Sequence, residues 1–252
     1  MYQSAKVLIE FPKSSNVFHQ SQLSYTLRLT INCIKLLGEY SMRTFLRSIV
    51  LILLFIPCLA FTAGAGDYQA GQDYKVLPQN NNYTTAAGAV NVVEFFSYGC
   101  PACFSIEPAL QQWLLNKPKN VNFQRIPAVF EPNWEILAKA YYIAEALEVT
   151  EKITPALFDA IHKQHAVINN EQALEAIFVQ QGVSASDFES AYDFSPGIDA
   201  QLAQGEKLMQ TYQVIATPTF VVNGKYTTNL GMTKGDPQRL MAIVSYLVSK
   251  TS

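Results

Sequence analysis

Two thiols, Cys100 and Cys103, close the run Val92-Val93-Glu94-Phe95-Phe96-Ser97-Tyr98-Gly99-Cys100-Pro101-Ala102-Cys103. With two residues between them, they can close a disulfide within one helical turn. The apolar stretch before them has the composition of a buried strand, and Ser-Tyr-Gly interrupts it. A helix then begins, carrying Phe104, Ile106, Leu110, Trp113 and Leu114. Cys100 therefore stands at a helix start, among unpaired backbone N–H groups and the positive end of the helix dipole. That setting favours the thiolate, the reactive form of cysteine, and predicts a Cys100 pKa below the free-thiol value of about 8.5. The same spacing predicts Cys100 as the exposed nucleophile and Cys103, one turn further in, as its buried partner.

Other candidate groups surround this pair. Glu94 lies between Val93 and Phe95 on the strand that feeds Cys100. A buried carboxylate there would have a raised pKa and could move protons. Arg125, on a neighbouring strand, could instead hold it in a structural ion pair, and a strand-end acid in solvent is a third possibility. His162 and His165 are predicted on one helix face, where a solvated face is favoured over a metal pair because no third ligand is near. A zinc site at the cysteines lacks a second Cys or His pair to complete four ligands, so no metal is expected. Phe96, Tyr98 and Phe104 are candidates for an apolar collar around the thiols. Trp113, Tyr141 and Tyr142 are expected in the core. Asn82-Tyr83-Thr84 fits a glycosylation sequon, a pattern too short to carry a function.

The elements that must position these groups follow in order. Tyr74 to Leu77 suggests a short edge strand, and Val90 to Phe96 a confident one. Pro101 suits the first helical turn, where no N–H is needed, whereas Pro108 is expected to kink the helix or end its first half. Val121 to Ile126 alternates as a second main strand, and strand–helix–strand implies a parallel pair. From Trp134 to Gln210 the apolar spacing is helical throughout and predicts five helices, with Ser184-Ala185-Ser186-Asp187 as a capped start. Thr219 to Val222 restores a strand. Asn223-Gly224 signals a two-residue hairpin turn with Lys225 opening the return strand. Asp236-Pro237 caps a last helix.

Composition narrows the function classes. The chain has 252 residues, 49 % of them hydrophobic, with a net charge of −2 and four cysteines, Cys33, Cys58, Cys100 and Cys103. Met42 to Arg47 is a short basic start. Ser48 to Gly66 is uncharged, with an apolar centre at Ile49–Ile56 and a small-residue site at Ala63-Gly64-Ala65. This is the layout of a secretory signal peptide spanning 42–65, with residues 1–41 expected to be an over-extended reading frame. An uncleaved anchor is the alternative, since the apolar run approaches the ~20 residues of a membrane span. A lipid on Cys58 is disfavoured by Pro57. Residues 1–65 carry six Lys or Arg and two Asp or Glu, so 12 basic and 18 acidic residues remain, a net of −6. That balance argues against nucleic acid or an anionic membrane surface as partner. It also leaves Cys100 and Cys103 as the only thiols of an exported chain, where a lone pair suits disulfide exchange.

Phe95-Phe96-Ser97-Tyr98-Gly99-Cys100-Pro101-Ala102-Cys103, the run Thr217-Pro218-Thr219-Phe220-Val221-Val222-Asn223-Gly224-Lys225-Tyr226, and the helices between them resemble the DsbA family of periplasmic thiol–disulfide oxidoreductases. The similarity covers essentially all of residues 66–252. It implies a thioredoxin-like α/β fold in two parts, 66–129 and 213–252, with a helical insertion over 130–212. It further implies a redox-active Cys100–Cys103 disulfide, a cis-proline at Pro218 facing the sulfurs, and an acid, Glu94, beneath the second cysteine. Substrate contacts are implied at Thr217, Pro101 and Ala102. Implied partners are reduced or unfolded exported proteins and a membrane oxidase of the DsbB type, with no separate cofactor. Two positions depart from the best-known pattern. Ala102 replaces a histidine, which predicts a less acidic Cys100 than in relatives that keep the ring. Thr217 replaces the valine usual in the strongest oxidases and matches disulfide isomerases. An isomerase or reductase, and a peptide-binding module of the same fold, are the alternatives.

Overall fold

The computed structural model describes residues 68–78, 88–193 and 195–251, all within the unit Ala65–Ser252. The expected upstream extension, the signal peptide, Cys33, Cys58 and the sequon lie outside the described residues. Five strands, β1 (Lys75–Val76), β2 (Val90–Phe96), β3 (Val121–Pro127), β4 (Thr219–Val222) and β5 (Tyr226–Asn229), form one sheet in the order β1-β5-β4-β2-β3. β2 and β3 are parallel, and every other neighbouring pair is antiparallel. The crossover between β2 and β3 is helix α1 (Pro101–Asn116). Five helices stand between β3 and β4: α2 (Glu135–Ala146), α3 (Thr150–His162), α4 (Glu171–Gln180), α5 (Ala185–Asp193) and α6 (Ser195–Thr211). Helix α7 (Pro237–Thr251) ends the described chain. This is the thioredoxin-like α/β architecture with a helical insertion.

Strand alternation assigns the two faces of β2. Val90 and Val92 join Ile106, Leu110, Phe220, Leu240 and Val244 in the core beneath α1 and α7. Val93 and Phe95 face the other way, against Ile126, Tyr212 and Val214. Each such fully buried side chain contributes about 1.5–3 kcal/mol. A third core, around Phe158, Leu174 and Phe178, fills the insertion and reaches Cys103. Glu94 lies on the α1 face of β2, which puts a carboxylate under the helix that carries the thiols.

Local signals hold at the caps. Ser184 accepts the Asp187 N–H at 3.0 Å and donates to its carboxylate at 2.6 Å. Asp236 accepts the N–H groups of Gln238 and Arg239 at the start of α7.

Three expectations need correction. Pro108 does not end α1, which runs unbroken through it. The proline lies on the exposed side of the helix, where only the bond to the Phe104 carbonyl is given up. The hairpin turn at Asn223-Gly224 has positive φ at both residues and a Lys225 N–H to Val222 carbonyl bond at 3.0 Å. Pairing resumes at Tyr226 opposite Val222, so Lys225 is an extra residue in the loop rather than the first of the strand. His162 and His165 do not share a helix face. α3 ends at His162, and His165 follows in a left-handed conformation with φ 56°.

Candidate functional site

The turn from β2 into α1 is held by its own backbone. Ser97 carbonyl accepts the Cys100 N–H at 3.1 Å, and Ser97 Oγ accepts the Gly99 N–H at 3.1 Å. Cys100 is extended, φ −90° and ψ 114°, and occupies the cap position of α1. Its Sγ accepts the Cys103 N–H at 3.4 Å, one of the N–H groups that a helix start leaves unpaired. Pro101 is exposed and Ala102 half-buried at the first turn. The two thiols are unbridged, so the structure presents the dithiol form.

Cys100 is less open than its position suggests. It is 6 % exposed, against 0 % for Cys103, so the nucleophile reaches solvent through a narrow opening and its partner not at all. The covering segment is the loop before β4. Thr217 carbonyl lies 3.5 Å from Cys100 Sγ, close enough to accept the thiol proton. The Thr217–Pro218 peptide bond is cis, and Thr219 Oγ donates to the Ala216 carbonyl at 2.7 Å across the same loop. The fold thus brings together Cys100, Cys103, Pro101, Ala102, Thr217 and Pro218, which come from both ends of the sequence.

The two sulfurs are electrostatically unequal. The Cys100 pKa is lowered to about 6. The Cys103 thiol, donating to the Cys100 sulfur, is the main cause, with smaller help from the Thr217 side chain and from backbone N–H groups, against the opposing effect of burial. Cys103 is pushed well up, first by burial and then by the hydrogen bond and charge of Cys100, with Glu94 adding to the repulsion.

Glu94 is fully buried, and burial raises its pKa to about 7. Arg125, directly across the parallel strand pair, reaches Glu94 Oε2 with its Nε at 2.7 Å and bonds Glu107 of α1 through its other arm. Glu94 Oε1, buried beside this guanidinium, has no hydrogen-bond partner among the described residues. A solvent-exposed Glu94 is thereby excluded: the carboxyl is buried in an ion pair with Arg125 and has a raised pKa.

Phe96 and Tyr98 do not form a collar. Both are buried in the insertion core, packed edge-to-face with each other at 5.1 Å, and Tyr98 hydroxyl meets Thr154 Oγ at 2.9 Å. Phe104 alone of the three is partly open.

Three neighbours were not legible from local pattern. His162 Nε2 lies 2.8 Å from the Tyr98 carbonyl, and its ring stacks on Phe104 at 4.9 Å and 14°. Trp134 covers Gly99 so closely that a Cβ there would fall 2.6 Å from the indole nitrogen. Glu107 completes the Arg125 ion pair, and its one sequence signal is its place seven residues after Cys100, on the same helix face.

A family model for a DSBA-like thioredoxin domain matches residues 91–242. The thiol:disulfide interchange protein DsbA of Burkholderia cepacia is 36 % identical over 168 residues, 67 % of this chain and 79 % of its own length. The protein of the same name from Pseudomonas aeruginosa is 33 % identical over 207 residues, 81 % and 97 % of the two chains. The crystal structure of Pseudomonas aeruginosa DsbA superposes with a TM-score of 0.68 at 34 % identity, covering 73 % of this chain and 95 % of that one. Agreement in sequence and in fold over 79 to 97 % of the length of these relatives means that the chain belongs to the DsbA family of thiol–disulfide oxidoreductases.

Proposed function

We propose that the protein is an exported dithiol oxidase that passes a Cys100–Cys103 disulfide to newly translocated, reduced polypeptides. The observation that carries this reading is the inequality of the two thiols: Cys100 is reachable and acidic, with a pKa of about 6, and Cys103 is sealed with its pKa raised.

The inequality orders the steps. A substrate thiolate attacks Cys100 Sγ of the disulfide, the only one of the two sulfurs with any exposure. The Cys100–Cys103 bond breaks, and Cys103 leaves with the electron pair. A thiolate is disfavoured at that buried position, so it takes a proton, for which Glu94 is a buried acid in electrostatic contact with Cys103. A second substrate thiolate then attacks the substrate sulfur of the mixed disulfide, and Cys100 leaves as a thiolate. Two electrons have passed from the substrate dithiol to the protein. A low-pKa leaving group departs faster, and each pKa unit of depression shifts the exchange by about 1.4 kcal/mol. Thr217 and Pro218 on one side, and Pro101 and Ala102 on the other, would flank the substrate backbone, with the free backbone edge beside Thr217 serving as a docking strand. A quinone-linked membrane oxidase of the DsbB type would restore the disulfide, and the segment 42–65 would direct export to the periplasm.

The equilibrium constant of the cysteine pair against glutathione tests this reading. A pair more oxidising than glutathione and found mostly as disulfide in the cell is the expected result. A reducing pair found mostly as dithiol would favour an isomerase. Complementation by a Cys100→Ser, Cys103→Ser double variant would favour a peptide-binding module.

A further inference from the structure

We propose that a groove leading away from the reactive sulfur selects substrate segments that carry a cationic side chain a few residues from the reacting cysteine. The inference rests on the oxidase reading above and adds a substrate preference to it. The groove has a volume of about 750 Å³. Its inner end is formed by Val214 and Ile215, two residues ahead of Thr217, whose carbonyl lies against Cys100 Sγ. Ile215 is 78 % exposed and Val129 40 % exposed, so the lining carries apolar surface open to solvent.

The long wall is α6. Asp199, Leu202, Glu206 and Met209 recur there at three- and four-residue intervals and so form one stripe along the helix. α6 is seated close against the end of β3: a Cβ at Gly205 would fall 3.1 Å from Ile126 and 3.4 Å from the Tyr142 hydroxyl. Pro127, at the end of that strand, contributes to the opposite wall. The groove is therefore a fixed channel between a helix and a strand end, continuous with the loop that covers Cys100.

Its charge is one-sided. Asp199 has no hydrogen bond or ion pair among the described residues, and Glu206 accepts only from the Gln210 amide, at 3.4 Å. No Lys or Arg is among the groove's lining residues: Lys207, on α6 next to Glu206, is exposed outside the lining, and the third lining carboxylate, Glu135, holds Lys139 at 3.3 Å. Two carboxylates seven residues apart stand roughly 10 Å from each other along the helix axis. An extended segment, advancing about 3.3 Å per residue, enters this field within a few residues of a cysteine held at Cys100. Apolar side chains would fill the floor, and a Lys or Arg would meet Glu206 first and Asp199 further out. An acidic segment would be repelled.

The test is oxidation of reduced dithiol peptides by the disulfide form of the protein without its leader. The peptides are identical except for Lys or Glu at positions three to six residues from the reacting cysteine. The expected result is a Lys-over-Glu ratio of second-order rate constants of about five at low ionic strength, shrinking with salt. In an Asp199→Asn, Glu206→Gln double variant the ratio falls towards one. A charge-matched control on another helix, Glu189→Gln with Asp193→Asn, keeps the native ratio. Equal rates for both peptides in the native protein, or a ratio lost equally in the control, would overturn the groove. Oxidation of neither peptide would overturn the oxidase reading itself, and the groove with it.

Discussion

Glu94 and Arg125 face each other across the parallel strands β2 and β3, and the guanidinium engages one carboxylate oxygen at 2.7 Å while the other, buried, has no partner. A carboxyl held this way is a strong candidate for proton exchange near neutral pH. Glu94→Gln keeps the shape and removes the titration. Exchange with a dithiol peptide at pH 7 is expected to slow by about tenfold or more, while a purely structural role would leave the rate unchanged. Stability carries a second readout. The folded pKa of about 7 exceeds the ordinary 4.5. Between those values the folded state holds a proton that the unfolded state has released, so native stability falls as pH rises from 4.5 to 7, by roughly 3 kcal/mol at most. In Glu94→Gln that slope disappears from a series of urea titrations.

Cys100 has the opposite sign. Its folded pKa of about 6 lies below the ordinary 9.0. Between the two the unfolded chain holds the proton, so the dithiol form gains stability as pH rises from 6 to 9 and loses that gain as pH falls back to 6. Thiolate absorbance of the reduced protein should titrate with a midpoint near 6, and Cys100→Ser should abolish that transition. A midpoint near 8.5 would remove the electrostatic basis of the exchange reading.

The contact of Trp134 with Gly99 is tight enough to probe by one methyl group. Gly99→Ala places a Cβ 2.6 Å from the indole nitrogen, a separation real side chains do not tolerate. The ring must swing away from the turn that precedes Cys100. Only two tryptophans are present, Trp113 and Trp134, and Trp113 is buried elsewhere with its N–H on Ser245. A changed emission spectrum therefore reports the displaced Trp134.

The bond between Tyr98 and Thr154 ties the thiol-bearing turn to the insertion. Thr154→Val preserves the shape and leaves a buried tyrosine hydroxyl unpartnered, at a cost of about 1–3 kcal/mol. A lower urea midpoint with an unchanged thiolate titration is the expected pair of results.

Much of this was readable from the chain. The Asn223-Gly224 turn, the caps at Ser184 and Asp236 and the thiol pair all rest on interactions within a few residues, where pattern and structure share one cause. Errors cluster where distant segments decide. Cys100 is shielded by a loop 117 residues later in the chain. Phe96 and Tyr98 are claimed by a core that the insertion supplies. His162 looks like a solvated helix end until the Tyr98 carbonyl, 64 residues earlier, is beside it. Pro108 does not end α1, on whose exposed side it lies.

The sheet's own margins have a bearing on how such a chain survives its work. One outer strand, β1, is two residues long, and the other, β3, ends in a proline and carries polar Asn122 and Gln124 outward. Short, polar and proline-ended borders are poor templates for stacking extended chains. A protein that exchanges disulfides with other polypeptides is thereby guarded against edge-to-edge stacking with them.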